Sequence, residues 1–549
     1  MSCPMRCCVA ALLALASAPA GADTLLFNAR IHTMDAQHPE AGAMVWDEGG
    51  KLLAVGDTLT LQARHAGATR VDAHGAVVVP GLIDAHGHLL GLGLALGQAD
   101  LVGTRSRAEV VERLRVFAAK LPKDAWLVGN GWDQNDWADE QFPTAADLDA
   151  AFPDRPVYLD RVDGHAAWVN SAAMKHATRN LDGEWQPDGG HIERAGGKAS
   201  GVLVDGAVAL VGAAIPPPDE AQTRAAYQAA FARAVAAGLT GVHDAGVSLA
   251  DFRILQKLDA AGDLPLRLVE FADGDREALQ WLCGQGGHWS APDGRLRMQT
   301  VKLYMDGALG SRGAALLADY SDDPGNRGLF VTDPKAYRAA VEKAHRCHVQ
   351  VATHAIGDRA NRMVLDTYEA VLGKDAASTD HRWRVEHAQV VTLQDIPRFA
   401  TLHLIASMQP THATSDMPWA QKRLGAERLA GAYAWQRFIH DRVPLAFGSD
   451  FPVEDVDPML GLYAAVTRQD LHGQPPGGWL PDQKVSRLQA LAGFTRGAAY
   501  AGFMEHEVGA LEPGLRADFV ILDGDPMTVP LRRIADLKPV STWVDGKPV

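Results

Sequence analysis

The chain has 549 residues, of which 47% are hydrophobic and 22% charged, and a formal charge of −15. That length supports a large core and more than one domain, and the composition is ordinary for a globular protein. The acidic balance argues against nucleic acid and anionic membrane as partners, because both reward basic surface.

Residues 1–22 read as a segment apart. Arg6, the short apolar run VAALLALA at 9–16 and Ala20-Gly21-Ala22 have the order of a secretory signal peptide cleaved near Ala22. The run is too short to span a bilayer. A periplasmic or secreted mature protein is therefore expected. With Cys3, Cys7 and Cys8 removed, only Cys283 and Cys347 remain, which excludes a disulfide scaffold. One disulfide at most can form between them, and the first reading is two buried free thiols.

From 23 to 79 the text is short strands with turns, and Asp47-Glu48-Gly49-Gly50-Lys51 is a hairpin signal. The same texture returns at 504–549, so one small β-sandwich built from both termini is expected. The middle, 80–503, alternates apolar strand-like runs with longer helical segments, which argues for parallel βα units. Strand candidates fall at 81–86, 239–244, 266–271, 300–305, 349–354, 384–387, 404–409 and 444–450. Eight such units close an α/β fold, the (β/α)8 TIM barrel, with its chemistry at the carboxyl ends of the strands. The stretch from about 92 to 237 is too long for a loop and reads as an inserted subdomain, with strand-like runs at 125–129 and 156–160.

The first strand candidate ends in Asp84-Ala85-His86-Gly87-His88. Residues two apart in a strand point the same way, so two imidazoles converge. Alone, this pair is equally two ordinary turn histidines. Later strand ends add Lys302, His354, His387 and Asp450. Neutral imidazoles and a carboxylate suit Zn²⁺ or a similar divalent ion. Such an ion brings the pKa of bound water to about 7 and polarises a carbonyl. Asp450, beside that water, is the expected catalytic proton carrier. His243-Asp244 ends the second strand as support for this shell. The His345-Arg346-Cys347-His348 cluster falls at a helix end, where the dipole favours cations, and is assigned to structure.

These strand ends, with PGLIDAHGHL at 80–89, GWDQNDW at 131–137, DGHAAWVNSAAM at 163–174, KLYMDGALGSR at 302–312, THAIGD at 353–358, RVEHA at 384–388, GSDFPVE at 448–454 and ALEPGLRADFVILD at 510–523, resemble the amidohydrolase superfamily in its YtcJ-like (amidohydrolase 3) branch. The resemblance runs over essentially the whole mature chain. It implies a metal-dependent hydrolase barrel whose ligands are His86, His88, Lys302, His354, His387 and Asp450. One or two ions are compatible with that set, and with two the bridge is Lys302 carboxylated by CO2. The uncarboxylated alternative pairs Lys302 with an acid such as Asp306 beside a single ion. His165, Asp306, Arg312 and Trp132 are the expected substrate contacts, Arg312 through its planar fork.

The reaction expected first is hydrolysis of a C–N bond in an amide, an N-acyl or N-formyl amine, or a cyclic amide. The alternative is deamination of an aminated heterocycle, and a third reading is a noncatalytic binding protein. The expected partner is a small-molecule substrate, with neither nucleic acid nor membrane. A homo-oligomer is compatible with all three readings.

Overall fold

The computed structural model describes residues 23–122, 125–274 and 276–549, so the expected leader at 1–22 lies outside the described residues. Eight parallel strands make the barrel: β1 (Leu82–Gly87), β2 (Leu239–Val247), β3 (Arg267–Asp273), β4 (Leu296–Tyr304), β5 (Gln350–Ala355), β6 (Arg384–His387), β7 (Ile405–Met408) and β8 (Leu445–Phe447). All eight fall on the expected windows. Side chains alternate across the wall: Ile83, Ala85, Phe271 and Ala352 pack inside, while Leu82, Leu268 and Val351 pack outward against helices.

β8 is shorter than its window because the chain turns at Gly448 to meet β1. No backbone ladder joins β8 to β1; side chain and turn close the seam instead. The Asp84 carboxylate accepts Ser449 N at 3.0 Å and Ser449 Oγ at 2.7 Å. Asp450 N donates to His86 O at 2.7 Å, and His88 N to Phe451 O at 2.8 Å. A Cβ at Gly448 would sit 2.5 Å from His86 N, so only glycine fits this crossing.

The two ends of the chain meet in a pair of sheets. One holds Thr24–Phe27, Ala43–Trp46, Leu52–Gly56 and Thr69–Asp72; in the other, Val77–Pro80 runs antiparallel to Phe519–Leu522. Leu26, Met44, Trp46, Val78 and Phe519 fill the space between them. This unit is fastened to the amino ends of the barrel strands. Gly81 N donates to Asp518 O at 2.8 Å, and the buried Arg267 holds Asp518 at 2.7 Å and Asp545 at 2.5 Å.

The insertion is more strand-rich than its sequence suggested. It forms a six-stranded sheet from Ala99–Asp100, Leu127–Trp132, Val157–Arg161, Ala166–Val169, Gly190–Ala195 and Lys198–Asp205. The 92–237 stretch divides before its end. Helix Glu220–Ala236, started by a capping box between Asp219 and Gln222, buries Tyr227 and Phe231 in the barrel layer. No helix among the described residues is long and apolar enough to cross a membrane.

The cysteine reading is overturned: Cys283 and Cys347 are disulfide-bonded. They lie in the helix Arg276–Gly284 and at the C-cap of the helix Pro334–Arg346, which the barrel brings side by side with Cα atoms 5.1 Å apart. In a chain starting at Asp23, denatured without reductant, thiol titration should find no free thiol. The Cys347→Ser variant should lose about 2–4 kcal/mol of unfolding free energy, since the bridge closes a loop over a sequence separation of 64. Two titratable thiols in the unreduced protein would refute the pairing.

Candidate metal centre

The candidate ligands gather at the carboxyl ends of the barrel strands. His88 Nε2 lies 3.1 Å and His86 Nε2 3.4 Å from Asp450 Oδ1. His412 Nε2 lies 3.3 Å from Asp450 Oδ2. Two groups each place their ligand atoms within 4.8 Å of one another: His86 with His88 and Asp450, and His387 with His412 and Asp450. The His354 ring stands 4.5 Å from that of His387, and Lys302 Nζ lies 2.9 Å from His86 Nε2.

The tautomers are set from behind. His86 Nδ1 faces Glu386 Oε2 at 2.5 Å, and Arg384 Nε holds Glu386 Oε1 at 2.7 Å, all fully buried. Arg384 also reaches Ala85 O, Ser407 Oγ and His243 Nδ1, which gives His243 its supporting place. Asp244 is buried and accepts Leu89 N, the amide that follows His88, at 2.8 Å. Burial opposes the charge on Glu386, but Arg384 and His86 hold its carboxyl well below the usual range. An ionised Glu386 accepts Nδ1–H, which leaves the His86 Nε2 lone pair facing the centre. His387 is oriented likewise by Gln409 Oε1, 2.9 Å from its Nδ1. Burial also lowers His86 to about 4, and holds His354 and His387 well below the ordinary histidine value, so these three are neutral at neutral pH.

The donor set fits a divalent cation. The buried His354 Nε2 and Asp450 Oδ1 have no hydrogen-bond partner, as atoms shaped to receive an ion would. His387 and Asp450 adopt left-handed backbone, with φ of +70° and +65°. Non-glycine residues persist there only where surrounding structure fixes them, and such strain gathers at functional sites.

A model described as the amidohydrolase family matches residues 69–549. The chain belongs to the amidohydrolase family. It is 34% identical to the putative amidohydrolase YtcJ of Bacillus subtilis (strain 168), over 92% of this chain and 95% of that one. It is 28% identical to the N-substituted formamide deformylase of Arthrobacter pascens, over 95% and 97%. A crystal structure of an uncharacterized metal-dependent hydrolase from Pyrococcus horikoshii, 28% identical, superposes with a TM-score of 0.75 over 93% of this chain and 99% of that one.

The expected substrate contacts of this amidohydrolase divide. His165 lines the cavity over the centre, its ring 5.2 Å from His354 and its Nδ1 2.7 Å from Asp205 Oδ1. Burial opposes its charge, but Asp205 raises it to about 9. The other three face elsewhere. Trp132 is wholly buried in the insertion with Trp137 and Trp168, and its indole N–H donates to Leu159 O at 2.8 Å. Asp306 is equally buried and outside the cavity lining; it accepts backbone N–H groups from Ala315, Ile356 and Gly357 at 2.8 to 2.9 Å, so it braces loops, with its Oδ1 3.7 Å behind His354 Nε2. Arg312 pairs with Asp322 at 3.1 Å, away from the cavity.

His412 has no counterpart among the expected ligands. β7 contributed no candidate because its chemistry lies past the strand, on helix Pro410–Asp416. His412 stands between Asp450 and Glu454, with Nδ1 2.9 Å from Glu454 Oε1. Burial opposes its charge, yet these two carboxylates raise it to about 10. It therefore donates hydrogen bonds to both, and would offer a lone pair to an ion only by losing a proton.

Glu386→Gln should weaken metal affinity by about 10–100-fold, the effect typical of losing a carboxylate behind a ligating histidine. Competition with a chromophoric chelator measures it, and unchanged affinity would show that Glu386 does not set His86.

Proposed function

We propose that this protein hydrolyses a C–N bond in an amide, N-acyl or N-formyl amine, or cyclic amide, with Asp450 carrying the proton. The observation that bears most weight is the convergence on Asp450: one oxygen faces His86 and His88 at 3.4 and 3.1 Å, the other His412 at 3.3 Å. Zn²⁺ or a similar cation held by His86, His88, His354, His387 and Asp450 would supply Lewis acidity, making water a better nucleophile and a carbonyl a better electrophile. Burial opposes charge on Asp450, but His412 and His88 beside it hold its carboxyl well below the usual range. It is therefore a carboxylate, able to accept a proton and return it to the departing nitrogen. His412 and Glu454 keep that carboxylate in place. The formamide deformylase among the relatives supports N-formyl amines as the first compounds to try.

Lys302 fits the role of bridge between two ions once its amine nitrogen bonds the carbon of CO2 and releases a proton. Its amine is buried, and burial lowers it to about 8, which leaves a fraction neutral and nucleophilic at neutral pH. Export belongs to this proposal as well. The leader-like residues 1–22 and the Cys283–Cys347 disulfide both support an oxidising compartment.

Chelation should abolish turnover of N-formyl and N-acyl amines and Zn²⁺ should restore it, with free amine and acid as products. Release of ammonia from aminated heterocycles would instead favour deamination. Asp450→Ala should lower kcat by about 10²–10⁴-fold with the fold retained in circular dichroism; most activity surviving would remove Asp450 from the proton path. Elemental analysis of Lys302→Ala should find one ion where the parent holds two, and equal counts would discard the bridge.

A further inference from the structure

The cavity over the centre has a volume of about 770 Å³, and its wall is acidic. Nine carboxylates line it against three lysine or arginine side chains, Arg161, Arg233 and Lys302, and two histidines held by carboxylates, His165 and His412. The lysine and both arginines are engaged as well. Arg161 lies between Asp133 and Asp163 and gives Nε to Gln134 at 2.9 Å. Arg233 pairs with Asp455 at 2.9 Å, and Lys302 touches His86 at 2.9 Å. An anionic substrate group would find no uncommitted lysine or arginine among the described lining residues, and would meet carboxylates of its own sign.

Asp416 is in the opposite condition. It ends the helix Pro410–Asp416 and lines the cavity. Its Oδ2 accepts the Tyr433 hydroxyl at 2.6 Å and Gln389 Nε2 at 2.8 Å. Both donors are neutral, both use the same oxygen, and no ion pair balances Asp416 among the described residues. No hydrogen bond to Oδ1 is seen among the described residues, and the two donors on Oδ2 fix the side chain in direction. One helix position before His412, Thr411 is 8% exposed and lines the same space, with a buried Oγ1 that has no hydrogen-bond partner. Buried hydroxyls are nearly always paired, so an orphan hydroxyl on a residue that lines the cavity is available to a ligand atom. Asp416 follows His412 by one helical turn, about 6 Å along the axis, and His412 itself touches Asp450.

We propose that Asp416 determines specificity, selecting amides that carry a protonated amine or amidinium about one helical turn from the scissile carbon, with Thr411 meeting a polar atom between them. This rests on the hydrolase reading above. A cation at Asp416 makes a charge-assisted hydrogen bond in a partly desolvated wall, and the two neutral donors have already fixed the geometry. Burial pushes the empty carboxyl up to about 7, and a bound cation favours its ionised form. At the rim, Leu96, Val102 and Leu471 are each more than half exposed and offer apolar cover to the spacer of such a substrate.

Two matched pairs of compounds test this on the metal-loaded enzyme. The first pair is the N-formyl derivatives of a diaminoalkane and of an alkylamine of equal length; the second is the corresponding non-hydrolysable methyl ketones, with and without the terminal amine. The parent enzyme should favour the cationic formamide in kcat/KM, and bind the cationic ketone more tightly by calorimetry, each by about 10–100-fold, the range of a charged hydrogen bond. In Asp416→Asn both ratios should fall to near one. Hydrolysis with no charge preference in the parent, or a preference that survives Asp416→Asn, overturns the proposal. Preferential binding of the cationic ketone with no amide cleaved would leave this recognition standing and sink the hydrolase reading instead. Should Asp416→Asn misfold, the parent's own binding ratio decides, and a ratio near one rejects the assignment.

Discussion

The site depends on one buried ion pair, Arg384 with Glu386, at the centre of the barrel. Both groups have left water completely, and a lone charge there would be prohibitive. Arg384 is accommodated because its planar fork meets both Glu386 oxygens, Ala85 O, Ser407 Oγ and His243 together. Glu386 Oε2 also accepts from His86 Nδ1. Such a pair adds little to stability when compared with well-packed apolar side chains. Its contribution is directional, fixing which imidazole nitrogen carries the proton and which carries the lone pair.

Closure of the barrel and construction of the centre share residues. Asp84 and Gly448 join the last strand to the first, and the same turn delivers Asp450 beside His86 and His88. The left-handed backbone at Asp450 is tolerable because Asp450 N is tied to His86 O and the Ser449 group to Asp84. A loosened seam would therefore displace the proposed proton carrier and two candidate ligands together, with no change in the side chains themselves.

Much of this was legible in the sequence for a physical reason. Strands of a parallel sheet are buried on both faces, so they read as apolar runs, and a polar residue at the end of such a run stands out. His86, His88, His354, His387 and Asp450 were found that way. His412 was not, since Pro410 starts a helix directly after β7 and carries the useful group beyond the strand. Trp132, Asp306 and Arg312 lie within family phrases, but a phrase does not reveal depth. Tryptophan is as good a core filler as a pocket wall, and two of the three amides that Asp306 binds, Ile356 and Gly357, belong to a loop distant in sequence. The disulfide was hidden because 64 positions separate two cysteines that the packing of successive βα units brings together. The insertion's sheet was under-read because strands such as Gly190–Ala195 alternate polar and apolar residues over short lengths.

The sandwich has a consequence for the order in which the molecule is made. Val77–Pro80 takes its neighbour from Phe519–Leu522, so a strand made early waits for one made several hundred residues later. Until the tail is synthesised, the leading strands have an open flank, and Arg267 and Gly81 have no Asp518 to hold. Synthesis of Phe519–Leu522, rather than any step within the barrel, is the event that locks the two strands together.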